Sequence, residues 1–174
     1  MASSLIEISS STLGTDTASV TLTGITSEYE VYLFTFNNAI PDTADADLLF
    51  QFTESGSPNT SANYDYAFQY LRSDTSEAGL KDVNRNFINV SGSMENDTGT
   101  GGVNGVMWIF NSTNSDEYTL GTIEDIYLAE DGTMLGAQGG YCLTVTSVVD
   151  GGKFFYDSNN IRSGARFVLY GLKK

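Results

Sequence analysis

The sequence predicts an all-β fold, an antiparallel β-sandwich of jelly-roll or Greek-key type with about eight to ten strands. Three observations carry this. Apolar residues recur with period two in short runs, clusters of Gly, Asn, Asp and Pro separate the runs, and no stretch carries an amphipathic helical stripe of three turns.

Val20 and Leu22 alternate with Ser19, Thr21 and Thr23, the pattern of a half-buried strand. Tyr29 to Phe36 is dense in aromatic and branched residues. Leu48 to Thr53 sets Leu48, Phe50 and Phe52 on one side, and Tyr64, Tyr66, Phe68 and Tyr70 line one face of a further strand. Asn86 to Val90 and Leu120 to Leu128 are shorter candidates, and Val103 to Phe110, Tyr141 to Val149 and Ala165 to Leu172 complete the set. The turns are expected at Asn37-Asn38 with Pro41, Gly56 to Pro58, Gly99 to Gly102, Asp131-Gly132, Asp150-Gly151-Gly152 and Asn159-Asn160. Thr75 to Val83 has room for a single helical turn. Long connections at 37–47 and 91–102 favour a sandwich over an up-and-down barrel. With no composition break, linker, heptad or internal repeat, residues 1–174 are expected to form one domain.

The composition supports a core: 40% of the 174 residues are hydrophobic and only 17% are charged. The 22 acidic and 8 basic residues give a net charge of −14, which argues against nucleic acid and against an anionic membrane surface as partners. There is no His and one Cys, so a His base, a Cys–His pair, an internal disulfide and a cysteine zinc site are all excluded. Met1 to Ser10 lacks the basic region and apolar run of a secretory signal, which predicts synthesis in a cytoplasm. The Asn-x-Ser/Thr triplets at Asn59, Asn89, Asn96 and Asn111 then read as accidents of an Asn-, Ser- and Thr-rich chain. The densest apolar run, Val103 to Phe110, is too short to span a membrane.

Several strands are apolar on both faces. Tyr32, Phe34 and Phe36 oppose Val31 and Leu33; Val106, Trp108 and Phe110 oppose Met107 and Ile109. A sandwich buries one face of each sheet, so the second face needs cover from loops or from another subunit. The subunit is the favoured reading, with Tyr32, Phe34, Phe36 and Trp108 as interface candidates. Charge is also uneven: nine acidic and no basic residues precede Arg72, whereas five basic and one acidic residue lie from Lys153 onward. Solubility accounts for this more simply than head-to-tail complementarity does.

Few constellations carry chemistry. Asp42, Asp45 and Asp47 offer hard oxygen ligands on one loop, yet without the spacing or turn glycine of an EF-hand, so an acidic surface loop is preferred and no metal is expected. Asp65, Glu124 and Asp125 are candidate carboxylates for glycoside hydrolysis, a chemistry that needs two of them facing one cleft. Asp65 between Tyr64 and Tyr66 resembles a sugar-binding surface and equally an outward-facing strand residue. Cys142 reads as a small strand residue, and Gly99, Gly101, Gly102 and Gly105 as a loop tip rather than a phosphate cradle.

A further signal lies in the order of several segments: Met1-Ala2-Ser3-Ser4-Leu5, the aromatic strand Tyr29 to Phe36, Ala46-Asp47-Leu48 leading into Phe50 and Phe52, Asn63-Tyr64-Asp65-Tyr66, Gly105 to Asn111, and Ile161, Gly164 and Phe167 to Leu172. This series resembles small virion structural proteins of tailed bacteriophages, especially tail-fibre-like proteins of marine phages, over most of the chain. The resemblance implies a non-enzymatic β-sandwich on a virion, without catalytic residues or cofactor. Its partners would be copies of itself, with a homotrimer expected, other virion proteins, and a host-surface glycan through Tyr64, Asp65 and Tyr66. Unlike a long fibre, the chain has no shaft, collagen repeat or coiled coil. A tail fibre or appendage is therefore the first expectation, a capsid decoration protein the second, and a carbohydrate-binding module the alternative of another class.

Overall fold

A computed structural model of the chain describes residues 4–74 and 77–173. The strands are β1 (Ser4–Thr12), β2 (Ser19–Thr23), β3 (Val31–Ala39), β4 (Ala46–Glu54), β5 (Ser57–Pro58), β6 (Tyr64–Arg72) and β7 (Glu77–Arg85), then β8 (Ile88–Met94), β9 (Val103–Phe110), β10 (Thr119–Leu128), β11 (Met134–Leu143), β12 (Gly151–Tyr156) and β13 (Arg166–Lys173). A single 3-10 turn, Thr98–Thr100, precedes β9, with the Asp97 carboxylate accepting from the Gly99 amide. No α-helix occurs among the described residues.

The strands form an antiparallel sandwich. One sheet runs β1-β13-β3-β9-β10-β11-β6-β7; the other runs β2-β12-β4, with β5 and β8 sharing the far edge of β4. The chain crosses between the sheets from β1 to β2, β2 to β3, β3 to β4, β5 to β6, β7 to β8, β8 to β9, β11 to β12 and β12 to β13. The hairpins β6–β7 and β10–β11 stay within the larger sheet and widen it to eight strands.

Period-two burial fixes which side chains face inward. Tyr32, Phe34 and Phe36 of β3 meet Phe50 and Phe52 of β4 and Phe154 of β12 across the inter-sheet core. Phe154 lies at the centre, with ring centroids 4.9 Å from Phe50 and 5.1 Å from Phe167. The buried tyrosines keep their hydroxyls paired: Tyr64 donates to the Asn59 carbonyl and accepts from the Phe52 amide, and Tyr156 donates to the Ala39 carbonyl.

Several boundaries differ from the expected ones, and glycine is the common reason. β11 spans Met134–Leu143 rather than Tyr141–Val149, and β12 begins at Gly151 and Gly152, where a turn was expected. Inward-facing strand glycines here make room for aromatic rings. Gly121 pairs with Tyr141, Gly139 with Phe68, Gly105 with Phe36 and Gly152 with Phe52. A Cβ on Gly121 would lie 2.2 Å from the Tyr141 ring. Gly121→Ala should therefore cost about 2–3 kcal/mol by overpacking, read as a lower urea midpoint at unchanged slope. Gly140→Ala, one register step away, should be near neutral, because its Cβ would meet only the Gly121 carbonyl at 3.5 Å.

Other corrections follow from sheet pairing. The opening segment is strand β1 because it pairs along β13, from Ser4 with Lys173 to Thr12 with Arg166. Residues 77–83, expected as part of a helical turn, lie in β7 because they pair with β6; Thr75 and Ser76 lie outside the described residues. β3 continues through Asn37-Asn38 to Ala39, and β8 runs to Met94, through irregular pairings that let both strands bend.

Candidate functional site: the outer face of the eight-stranded sheet

The two sheets differ in what they turn outward. The smaller presents Thr21 and Thr23 of β2, Asp47, Leu49 and Gln51 of β4, and Lys153 and Phe155 of β12, a mainly polar set whose Leu49 is itself buried. Lys153 stacks its ammonium over the Phe155 ring at 4.7 Å.

The larger sheet turns apolar side chains outward across its middle. Register aligns Tyr170, Leu33, Trp108, Thr122, Gly140, Ala67 and Lys81 in one row across seven strands. A flanking row runs Val31, Phe110, Leu120, Cys142 and Asp65. Beyond these lie Ile126, Leu71 and Met134. Leu120 is 45% exposed, Ile126 48% and Leu71 53%, so no connection of the described chain covers them. Glu124 is the one charged residue among the described outward positions of β3, β9, β10 and β11.

The face is not flat. Leu120 stands up beside Gly140, Cys142 and Ala67, whose short side chains leave an open groove of about 870 Å³ bounded by Asp65, Lys81, Asp82 and Val83. Burial, and secondarily the Asp65 carboxylate, raise the Cys142 pKa, which keeps it a thiol rather than a nucleophilic thiolate near neutral pH.

A smaller cleft, about 470 Å³, opens at the other side of β6, between the sheets. Tyr70, Tyr127, Asn89, Asp47 and Arg72 line it. Asp125 lies deeper on the same inner face, 8% exposed, and neither carboxylate oxygen has a hydrogen-bond partner. Burial pushes its pKa up to about 8, with the nearby Ala137 amide as the opposing influence. Burial likewise pushes Tyr127 up to about 12.

The residues singled out from sequence are placed as follows. Tyr32, Phe34 and Phe36 are fully buried in the chain's own core and cannot contact another subunit; of that set only Trp108 faces out, and it pairs with Leu33 rather than with Tyr32. Tyr64 and Tyr66 also point inward, at 0% and 6% exposure, so neither ring can stack on a sugar. Asp65 alone faces out, and its carboxylate accepts from the Asn84 amide at 2.8 Å.

Asp42, Asp45 and Asp47 do not converge. Asp42 accepts from the Asn160 amide and side chain, Asp47 accepts from Asn89 and from the Ser93 amide, and Asp45 takes a left-handed turn conformation at φ 59°. The Asp42 and Asp47 carboxylates tie loops together, and no group of three metal-ligating side chains occurs among the described residues. Glu124 and Asp125 are consecutive strand residues and so face opposite sides of the sheet, Glu124 outward and Asp125 inward. Asp65 lies on the outer face two strands from Glu124. The three carboxyls share no cleft.

Sequence reading missed Leu33, Leu120, Ile126, Leu71 and the small residues Ala67, Gly136 and Gly140 as one surface. The alternation in Leu120 to Leu128 was visible, but only cross-strand register assembles the row. No protein-family model matches the chain, and no curated protein shows significant similarity to it.

Proposed function

We propose that the chain is a non-enzymatic structural subunit of a bacteriophage particle, a tail-fibre or appendage component that assembles with copies of itself and with other virion proteins. The observation that carries the assembly reading is the uncovered apolar outer face of the eight-stranded sheet on a chain otherwise rich in acidic surface. The virion itself rests on the sequence resemblance. The strand order supports it at the level of architecture: β1-β13-β3-β9 against β2-β12-β4-β8, with successive strands crossing between sheets, is the arrangement expected of a jelly roll, an architecture of viral capsid domains. The absence of enzymatic activity is argued from carboxylates that share no cleft and from a sequence without His.

Immunogold labelling of purified particles with antibody to this chain tests the reading. Gold on the tail or its appendages is the expected result. Gold on the capsid would move the protein to the decoration class, and particles free of the chain would end the virion reading.

A further inference from the structure

The geometry points to a two-fold pair in which the outer faces of two eight-stranded sheets pack back to back, related by an axis that runs parallel to the strands between β10 and β11. This rests on the assembly reading above and names its partner, a second copy of the chain.

The size fits. A two-fold between β10 and β11 overlays six strands, β3 to β7 in sheet order; at about 4.8 Å apart and seven or eight residues of about 3.3 Å, they give a contact of roughly 24 by 25 Å, on the order of 600 Å². Stable interfaces begin at about 600 Å² from each partner.

Charge selects this face. Copies carrying −14 each repel, so close contact needs a surface poor in carboxylates. The outward positions of β3, β9, β10 and β11 offer Glu124 alone, and the β6–β7 side adds only Asp65 and Glu77, with Lys81 between them. On the outer face of the smaller sheet Leu49 is buried and Phe155 half-buried, so that sheet exposes no second apolar patch among the described residues. One patch meeting itself gives a closed two-fold, whereas a three-fold ring needs two different complementary patches.

Register then supplies the fit. A two-fold between β10 and β11 sets each outward residue of one strand against its own cross-strand partner in the second copy. Leu120 meets Cys142, Thr122 meets Gly140, Glu124 meets Gln138 and Ile126 meets Gly136. The same rotation seats Trp108 over Ala67, in the groove beside Gly140. Trp108, Leu120 and Ile126 thus face Ala67, Cys142 and Gly136, Phe110 faces Asp65, and the Glu124 carboxylate faces a Gln138 amide that can donate to it.

The glycines agree. Unlike Gly121 and Gly139, Gly136 and Gly140 are not required by the chain's own packing: a Cβ on either would make only ordinary contacts, at 3.7 and 3.5 Å. Glycine weakens a strand interior, and a backbone approached closely from outside accounts for two such residues on an exposed face.

The test is sedimentation equilibrium of the full chain with Trp108→Ala, Ala67→Trp, and an equimolar mixture of the two. Wild type should reach twice the chain mass and stop there. Each variant alone should dissociate at least about tenfold more readily, one pair having a void at both contacts and the other a clash. The mixture should recover association, because one contact is native and the other joins the missing ring to the added one. Gly140→Leu provides a second variant: it should abolish pairing while leaving the melting temperature of the dissociated chain unchanged. A wild-type trimer or open-ended polymer, or a mixture that fails to recover, would overturn the two-fold and leave assembly standing. A wild-type chain that stays monomeric at high concentration would overturn both.

Discussion

Asp125→Asn should stabilise the protein by about 5 kcal/mol at pH 8 and by less than about 1 kcal/mol at pH 4. The folded-state pKa of Asp125 is raised to about 8, against roughly 4 in an unfolded chain. Between those values the folded chain holds a proton that the unfolded chain has lost. Stability therefore falls with rising pH through this window, by up to about 1.4 kcal/mol per unit, and the cost levels off above pH 8. An amide keeps the shape and removes the ionisation. Tyr70 and Tyr127 on the same inner face have raised pKa values and stay neutral throughout, so they do not mask the effect. Thermal melts of both proteins at the two pH values check this; equal differences at pH 4 and pH 8 would mean that Asp125 is not held protonated.

Phe154→Ala should lower stability by about 3–5 kcal/mol, the range for removing a buried aromatic ring. Phe154 is fully buried and lies within 5.6 Å, centroid to centroid, of Phe34, Phe36, Phe50 and Phe167. Phe34, Phe36 and Phe167 belong to the larger sheet and Phe50 to the smaller, so the ring joins the two layers. Neighbours held on paired strands cannot collapse into the space left behind, and Gly152 beside it offers no side chain to refill it. Urea denaturation measures the loss, and Phe154→Leu should recover about half. A cost below about 1 kcal/mol would contradict the placement of the core.

Period two was enough to read β2, β4 and β6 nearly to their ends, because most of their inward residues are large and apolar and most outward neighbours differ from them, whereas β9 was legible as a short run apolar on both faces. It failed at β11 and β12, where inward positions are glycines occupied by rings from neighbouring strands: a residue chosen for its lack of a side chain leaves no hydrophobic signal. It failed at β1 and β7 because edge strands bury little and owe their conformation to one partner strand.

The association face was half legible. The double apolar character of Tyr29 to Phe36 and Val103 to Phe110 is a local property, and of the residues it singled out Trp108 lies on the outward side. Which side of β3 faces out is decided by pairing. Leu33, not Tyr32, lies beside Trp108, and the three bulky aromatics were placed on the wrong face. The same limit applies to Tyr64 and Tyr66, whose alternation with Asp65 defines two faces without saying which is the core.

Sedimentation equilibrium of Trp108→Glu against Thr21→Glu tests the assembly account most directly. Both substitutions add one carboxylate to an outward strand position, the first on the larger sheet and the second on the smaller. The account predicts that Thr21→Glu associates as the wild type does and that Trp108→Glu stays a folded monomer. Association of Trp108→Glu at wild-type strength would place the contact elsewhere and contradict it.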